Sequence, residues 1–530
     1  MLPPVISRLL KSWVAPASIA LLALALRLYR LDHQSVWSDE MLSVTTSSRP
    51  LSEITARLVS VFTPYPPLHF YLLHSWFAVF GYGAFEARLL STVFGSLSVF
   101  MTFLLARYLF GRQTGLLAAL LLAVSQLGII YSQEARAYSQ LLFFALTSTY
   151  FFIRALRESS AWRWWCFVAS TVALIYTHYY GVFVLVCLVG FALAFRKRYA
   201  VPRVWWAAGF LVLLVCYAPW LLSGAVQGAA ETRFAWPAAQ KSSMSVHWSS
   251  FFSAVNWFNN GKLFGVNEPS PWWTFFAGGL LFTLPGFFAL KSFFGDSPGR
   301  AKGKDHLEAL VLVNLLWVVP ALLVLAAGAV RDVYNVRYLA HCCAPYYMMV
   351  ACGLASISSA ILRRSVVILM LTYTMVSLRA VYFIPYKENN RDALAYLVAN
   401  YRDGDCCIFG PQSPSPYWHV YHRDHPGVKV VNFDTALSGE TRCERVWLVW
   451  DGTWWKNVGS SPRSDARRQV QRTRSAAEAK RLLEESYSRV DQQQYYRAEV
   501  TLYERCLQPS RTTSKPIRRP ICSMGWRYSP

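Results

Sequence analysis

The chain has 530 residues, of which 54% are hydrophobic and 15% are charged, and its mean hydropathy is +0.27. Soluble globular proteins carry about 25% charged residues, so this composition excludes an ordinary soluble domain and indicates a polytopic membrane protein. The formal charge of +23 would indicate nucleic-acid binding only in a soluble chain. In a membrane protein it indicates basic cytoplasmic loops and contacts with anionic lipid or phosphate, so we expect no nucleic-acid partner.

Long apolar runs predict about eleven membrane spans, because one span needs roughly 20 mainly apolar residues. The predicted spans lie near residues 13–31, 87–110, 114–131, 138–157, 162–177, 179–196, 204–223, 272–294, 307–330, 339–361 and 365–385. The first run starts like a signal peptide, with Arg8 and Lys11, but its continuation to Leu31 predicts an uncleaved helix. The apolar stretch 68–80 is short for a span, and we interpret it as interfacial or re-entrant.

Basic residues predict the orientation, because Lys and Arg are enriched in cytoplasmic loops. A cytoplasmic N-terminus places Arg107, Arg112, Arg154, Arg157, Arg163, Arg196, Lys197, Arg198, Arg203, Arg363 and Arg364 inside, with Lys291, Arg300, Lys302 and Lys304. The first loop, about 32–86, the loop 224–271 and the chain after 386 then face outward. These features predict a multi-pass protein of the cell (inner or plasma) membrane.

The composition changes at Tyr386 and predicts a second domain. Predicted helices at 391–400 and 476–488 alternate with predicted strands at 405–409, 445–450 and 500–503. We therefore expect a polytopic α-helical membrane domain over 1–385 and a small extracytoplasmic α/β domain over 386–505. Residues 506–530 form a basic tail rich in Pro, Ser, Thr and Arg, which predicts disorder.

Polar residues are concentrated in stretches on the predicted outer face. The first loop carries Trp37-Ser38-Asp39-Glu40, Tyr65-Pro66-Pro67, His69, Glu86 and Arg88. The second stretch is Tyr131-Ser132-Gln133-Glu134-Ala135-Arg136-Ala137-Tyr138, and the third runs from Arg331 to Arg337 and Tyr338. His178 lies in a tight outer turn between two predicted spans. Because charge near a bilayer is usually there for function, we predict that these stretches form one polar pocket.

Glycosyl transfer from a lipid-phosphate donor fits this set of residues. A phosphate requires the fork of donors that Arg supplies, and a weakly nucleophilic acceptor requires a carboxylate base. We expect Arg136, Arg337 and Arg88 to bind the donor phosphate. The predicted pocket also contains Tyr65, His69, Glu134, Tyr138, His178 and Tyr338. Of the adjacent carboxylates Asp39 and Glu40, both assigned to the catalytic site, Asp39 is the predicted base and Glu40 is expected to orient the loop.

These motifs resemble the bacterial branch of the GT-C membrane glycosyltransferases, over roughly residues 20–385. That branch includes relatives of the dolichyl-phosphate-mannose–protein mannosyltransferases and the lipid A aminoarabinose transferases, which are glycosyltransferase family 39- and 83-like. The resemblance implies an inverting enzyme that uses a polyprenyl-phosphate sugar and either needs no metal or tolerates a divalent one. It assigns the base to the first Asp of the Asp-Glu pair, here Asp39. The chain departs from the bacterial pattern at Tyr65, where His often precedes Pro-Pro.

Other functions remain open at this point. A lipid or glycolipid transporter would need charges at mid-membrane depth and paired halves, whereas the charges here lie at span ends. A non-catalytic scaffold would leave the Asp-Glu pair unexplained. Arg27 and Arg30 are expected to snorkel to the interface, although Arg27 could instead face the pocket. We predict no protein metal site. The sequence leaves open which sugar is moved, and whether the acceptor is a protein, a lipid A-like glycolipid or another envelope glycan.

Overall fold

A computed structural model describes residues 4–60, 65–199, 202–223, 252–268, 270–294, 300–331, 335–410, 416–421, 427–431, 435–436, 443–451 and 476–506. The chain divides into two compact units. The membrane unit comprises Met1–His33 and Leu42–Tyr386, and the C-terminal unit comprises Gln34–Met41 and Lys387–Pro530. The predicted disordered tail lies outside the described residues, apart from Cys506.

The described part of the membrane unit is helical. Its helices are Pro4–Leu28, Ser38–Ser47, Leu51–Ser60, Leu68–Phe80, Ala84–Phe110, Arg112–Ala123, Gln126–Ser132, Tyr138–Glu158, Ala161–Thr177, Gly181–Ala194, Arg203–Leu222, 252–258, Trp272–Gly278, Leu284–Phe294, Arg300–Arg331, Cys343–Ser356 and Ala360–Tyr382, with a π-helical turn Gly279–Thr283 and a 3-10 segment Val336–Cys342. Ser38–Ser47 begins in the C-terminal unit and continues into the membrane unit.

Seven of the described helices are long and apolar enough to cross a membrane, or eight if one bent pair is a single span. Shorter apolar helices are Trp13–Leu28, Leu68–Phe80 and Gly181–Ala194. The polytopic helical class predicted from sequence is confirmed, whereas the count of eleven spans is not. The stretch 68–80 is a helix of 13 residues, and it is too short to be among the seven.

The predicted span 114–131 is two helices, Arg112–Ala123 and Gln126–Ser132, which meet at an angle of 60°. The second helix begins at Ser125, whose hydroxyl accepts a hydrogen bond from the Gly128 amide at 3.2 Å. Serine is a preferred N-cap because its oxygen satisfies an amide that has no partner in the first turn of a helix. The hydrophobic run continues through the bend, so hydropathy alone predicts one straight span.

Arg27, in the neighbouring first helix, donates hydrogen bonds to backbone carbonyls at this break. Its side chain is 1% exposed, and its Nη1 and Nη2 donate to the carbonyl oxygens of Ala123 at 2.9 Å and Leu122 at 3.2 Å. Its Nε donates to the Ser132 hydroxyl at 3.0 Å. The last carbonyls of a helix have no intrahelical partner, and Arg27 satisfies two of them. The expectation that Arg27 snorkels to the interface is therefore wrong, because its guanidinium is buried among these acceptors.

A buried amide network holds the other side of the break. The backbone amide of Gln126 donates to Asn260 Oδ1 at 2.8 Å. The side-chain Nε2 of Gln126 donates to the backbone carbonyls of Lys262 at 2.8 Å and Ser377 at 3.1 Å. The Tyr347 hydroxyl donates to Ser125 Oγ at 3.2 Å. Buried polar groups need such partners. The bend is thus fixed by side chains that are distant in sequence.

The C-terminal unit contains a five-stranded sheet, with β1 (Cys406–Gly410), β2 (Lys429–Val430), β3 (Arg445–Asp451), β4 (Tyr487–Tyr495) and β5 (Ala498–Arg505) in the order β2-β1-β3-β5-β4. β1 is parallel to β2 and β3, while β5 is antiparallel to β3 and β4. A disulfide joins Cys406 to Cys443. The small α/β fold predicted for this part of the chain is confirmed.

One predicted element of this unit differs. The helix predicted over 476–488 spans only Ala476–Glu484, and the chain continues as β4. β4 is polar, with Asp491 and three consecutive glutamines, and most of it is at least partly exposed. It is an edge strand that pairs only with β5 among the described strands. Its backbone pairing, which composition does not reveal, therefore decides its conformation.

The break also requires a glycine at position 95. Gly95 lies in Ala84–Phe110, and a Cβ added there would be 2.0 Å from Ser132 Oγ and 3.2 Å from Arg27 Nε. No real Cβ tolerates the first distance, so the neighbours would have to move. Gly190, in Gly181–Ala194, is a matched contrast, because a Cβ added there meets nothing within 4 Å.

We therefore expect Gly95→Ala to lower the melting temperature in detergent, measured by intrinsic tryptophan fluorescence. Overpacking costs about 1–3 kcal/mol, which outweighs the roughly 1 kcal/mol by which Ala is the better helix former. Gly190→Ala gains the same helical preference without a clash and should leave the melting temperature unchanged or raised. Equal melting temperatures for the two variants would contradict the packing described here.

Candidate functional site

The Asp-Glu pair lies at the start of Ser38–Ser47, within the C-terminal unit. Both carboxylates are in the first helical turn, where the helix dipole favours negative charge. Glu40 is fully buried, and its Oε2 lies 3.0 Å from Lys387 Nζ. Asp39 is only partly buried. The two adjacent carboxylates therefore have different environments: Glu40 is enclosed by protein, while Asp39 keeps an accessible surface.

Arg136 is held in the membrane unit by contacts with two segments of the predicted first loop. Its side chain is 4% exposed, and its Nη1 donates to the Ser43 hydroxyl at 3.2 Å. Its guanidinium lies 4.7 Å from the centroid of the Tyr65 ring. The Arg136 carbonyl accepts from the Ser91 hydroxyl at 3.2 Å. Tyr65 thus provides an aromatic surface for a guanidinium, a role for which an aromatic ring is suited.

His69 joins the short helix Leu68–Phe80 to the second polar stretch. Its Nδ1 lies 3.0 Å from Gln140 Oε1, and the Ala135 backbone is a further hydrogen-bonding partner. Burial, reinforced by the positive charge of Arg136, lowers the pKa of His69 to about 4. The ring is therefore neutral near pH 7. It can donate or accept a hydrogen bond, but it does not supply positive charge for a phosphate.

Three further predicted pocket residues, Tyr138, His178 and Tyr338, lie in one aromatic cluster. The cluster also contains Tyr131 and Tyr180. The His178 ring centroid lies 5.8 Å from that of Tyr138, 5.0 Å from that of Tyr180 and 6.1 Å from that of Tyr338. The rings of Tyr131 and Tyr138 are 5.1 Å apart. Residues from three stretches that are far apart in sequence therefore meet in the membrane unit, and this cluster does not include Asp39 or Glu40.

Two charged residues of opposite sign belong to the polar stretches that form this cluster. The Arg337 guanidinium lies 5.4 Å from the Tyr338 ring centroid. Glu134, three residues after Tyr131, is 4% exposed. Residues 332–334 of the third polar stretch lie outside the described residues. The cluster thus combines tyrosine hydroxyls with a guanidinium and a carboxylate in a largely buried setting.

Arg88 has contacts with the end of the first helix. It is fully buried, its Nη1 donates to the Leu31 carbonyl at 3.1 Å, and it lies 3.9 Å from Asp32 Oδ1. Arg88 braces the chain where it leaves the first helix, and its role toward phosphate stays a prediction. Among the described residues, no group of three or more His, Cys, Asp or Glu side chains is arranged to hold a metal ion.

Sequence reasoning does not single out Lys387 and Ser43, and it includes Gln133 only as one member of the second polar stretch. Gln133 Nε2 donates to the carbonyls of Arg27 at 2.9 Å and Tyr29 at 2.8 Å, which joins the second polar stretch to the first helix. Lys387 and Ser43 are the partners of Glu40 and Arg136. A Gln within a polar stretch between two apolar runs is a usable signal, whereas a lone Ser or Lys is not.

Comparisons with known proteins agree with this architecture. Residues 64–222 match the family model described as dolichyl-phosphate-mannose-protein mannosyltransferase. ArnT from Cupriavidus metallidurans has a similar fold, both in the apo state and bound to undecaprenyl phosphate. In each case the TM-score is 0.56 and the sequence identity is 13%, and the match covers 92% of this chain and 97% of ArnT. The oligosaccharyltransferase of Archaeoglobus fulgidus in the apo form has a TM-score of 0.50 and 12% identity, with 82% of this chain covered and 69% of that chain. No curated protein matches the chain in a sequence search.

Proposed function

We propose that the chain is a GT-C membrane glycosyltransferase that moves a sugar from a polyprenyl-phosphate carrier to an envelope acceptor on the outer face of the membrane. Support comes from the match of residues 64–222 to the dolichyl-phosphate-mannose-protein mannosyltransferase family model and from the fold, which is similar to that of ArnT. The sugar is a hexose or a pentose, and the acceptor is a protein, a lipid A-like glycolipid or another glycan. Asp39 acts as the general base, and the anomeric configuration is inverted.

The observation that carries this proposal is the setting of Arg136. A buried guanidinium is held by Ser43 and the Tyr65 ring, so its planar fork is oriented before any ligand arrives. One oriented guanidinium can donate to two phosphate oxygens at once, which the ammonium group of a lysine cannot reproduce.

The nature of the carrier is supported by a protein of similar fold. ArnT from Cupriavidus metallidurans is known bound to undecaprenyl phosphate. We propose a carrier of the same chemistry here, because the membrane unit offers buried arginine and tyrosine side chains beside long apolar helices. The phosphate would lie with Arg136 and Arg337, and the isoprenoid chain would lie against the apolar helices.

The proposed reaction balances with one base. The acceptor oxygen attacks the anomeric carbon and Asp39 takes its proton, while the bond from that carbon to the phosphate oxygen breaks. The electron pair leaves with the polyprenyl phosphate, whose charge Arg136 and Arg337 stabilise. Phosphate is a good leaving group, so no strong acid is required. A single displacement of this kind inverts the anomeric centre.

The orientation is supported by the C-terminal unit. Its disulfide, Cys406–Cys443, is of the kind that forms in oxidising compartments outside the cytosol. The same unit contains Gln34–Met41, which is separated from the first helix only by residues 29–33. We therefore propose that the first loop and the C-terminal unit share the outer side of the membrane.

Labelling of introduced cysteines in intact cells tests this orientation. Ser488→Cys is exposed in the C-terminal unit and should react with a membrane-impermeant maleimide before lysis. Gln113→Cys, exposed at the start of Arg112–Ala123, lies on the predicted cytoplasmic side and should react only after the membrane is opened. The unmodified chain gives the background from native cysteines. Labelling of Ser488→Cys only after lysis would overturn the proposed orientation and the outer site with it.

The catalytic proposal predicts that one set of variants changes turnover and another changes affinity for the carrier. Asp39→Asn should lower turnover by about 10²- to 10⁴-fold, the range for loss of a general base, with unchanged affinity for undecaprenyl phosphate. Arg136→Lys and Arg337→Lys should instead weaken that affinity by about ten- to a hundredfold, corresponding to a lost charged hydrogen bond of about 1.5–3 kcal/mol. Asp403→Asn, in an exposed turn, is the control.

Turnover is measured with a panel of radiolabelled undecaprenyl-phosphate hexoses and pentoses, presented to envelopes from a deletion strain. Mass spectrometry identifies the product, and NMR of its anomeric proton gives the configuration. A retained configuration would refute the single-displacement mechanism. Normal turnover by the Asp39→Asn enzyme would remove Asp39 from the role of base and favour a non-catalytic scaffold.

A further inference from the structure

We propose that the C-terminal unit positions the catalytic turn, and that Lys387 is the positioning residue through which it does so. This inference rests on the proposed role of Asp39. It assigns a function to a unit that the chemistry itself does not require, and to a lysine that no motif contains. The contacts that hold the turn all lie within the C-terminal unit.

The first step is the geometry of the turn. The Met41 amide donates to the Trp37 carbonyl at 3.0 Å, which makes Trp37 the cap of the helix that starts at Ser38. Glu40 Oε2 accepts from the Trp37 amide at 3.4 Å. A Glu at the third helical position that bonds back to the cap residue is one half of a capping box. Glu40 thus closes the turn in which Asp39 is the second residue.

The second step is the burial of the pair that holds Glu40. Lys387 Nζ lies 3.0 Å from Glu40 Oε2, and the two side chains are 3% and 0% exposed. Taking two charges out of water costs so much that apolar residues of similar size often give equal or greater stability. A salt bridge between buried groups is directional, however, whereas an apolar contact is not. The pair is therefore better explained by the orientation it imposes than by the stability it adds.

The third step is a separate anchor just before the turn. The Tyr421 hydroxyl accepts from the Val36 amide at 2.5 Å and lies 3.2 Å from Ser35 Oγ. Ser35 Oγ also accepts from the Arg391 amide at 3.2 Å. These partners lie in the helices Pro416–Tyr421 and Asn390–Asn400 of the same unit. The chain is thus fixed by hydrogen bonds at Ser35 and Val36 and by the ion pair at Glu40, with Asp39 between Val36 and Glu40.

A variant that only misplaces a catalytic group lowers turnover, whereas a variant that disrupts folding also lowers carrier binding. A catalytic group that is displaced by about 1 Å can lose about a hundredfold in rate, while ground-state binding at other residues is unaffected. Lys387→Met should therefore lower turnover by about ten- to a hundredfold, with affinity for undecaprenyl phosphate unchanged. Lys387→Arg keeps a charged donor and should restore most of the turnover. Lys429→Met removes an exposed lysine in β2 and is the control.

A double-mutant cycle isolates the pair from other effects of each change. Glu40→Gln combined with Lys387→Met should lose no more turnover than the worse single variant, because both act through one contact. Additive losses would overturn the proposal, as would unchanged turnover in Lys387→Met or an effect confined to carrier affinity. If Lys387→Met does not fold, judged by tryptophan fluorescence, Lys387→Arg and the double variant decide, since both avoid an unpaired buried carboxylate.

The proposed function and this inference fail in distinguishable ways. Normal turnover by Asp39→Asn would refute the base, whatever Lys387 does. A strong loss in Asp39→Asn together with normal turnover in Lys387→Met would leave the base intact and refute the positioning role alone. Both assays use the full chain in detergent, with the same undecaprenyl-phosphate sugar panel and with undecaprenyl phosphate as the binding probe.

Discussion

The membrane unit depends on one buried guanidinium. Among the described residues, no carboxylate lies within ion-pair distance of Arg27, and its charge is stabilised by main-chain carbonyls instead. Two of these belong to the C-terminal end of Arg112–Ala123, where the helix dipole places partial negative charge. The charge and the break therefore support each other: an unbroken helix would pair these carbonyls internally, and without Arg27 the Ala123 carbonyl would lose its charged donor in an apolar region.

The consequence of the break lies at the other end of the short helix Gln126–Ser132. Ser132 accepts a hydrogen bond from Arg27, and Gln133 returns two bonds to the end of the first helix. The chain then enters the stretch that carries Glu134 and Arg136. Hydrogen bonds made by the side chains of Ser132 and Gln133 thus fix the segment from which these charged residues follow. A site built in this way can keep buried polar groups oriented in the absence of a ligand, which is the condition for electrostatic catalysis.

Much of this architecture is readable from the sequence. Hydropathy places most of the long apolar helices to within a few residues, because lipid requires each apolar helix to satisfy its own backbone. The polar stretches at 131–138 and 337–338 stand out because charge at the ends of apolar runs is unusual. The break at Ser125 does not stand out, since apolar sequence continues on both sides of it. The strand β4 is not predicted for the opposite reason: its polar sequence favours no element, and its pairing with β5 decides its conformation.

The sequence also does not reveal an ion pair between two residues that lie far apart in the chain. Nothing near Glu40 indicates that its partner lies at position 387, and nothing near Lys387 indicates a carboxylate. Each looks like a solvated surface residue, although both are buried in the fold. The same Asp-Glu dipeptide therefore contains two carboxylates in different environments. Glu40 is paired with a lysine and accepts a hydrogen bond at the start of the helix, while Asp39 is only partly buried in the same turn. Two adjacent acids are tolerated here because one of them has a buried cation beside it and the other keeps contact with solvent.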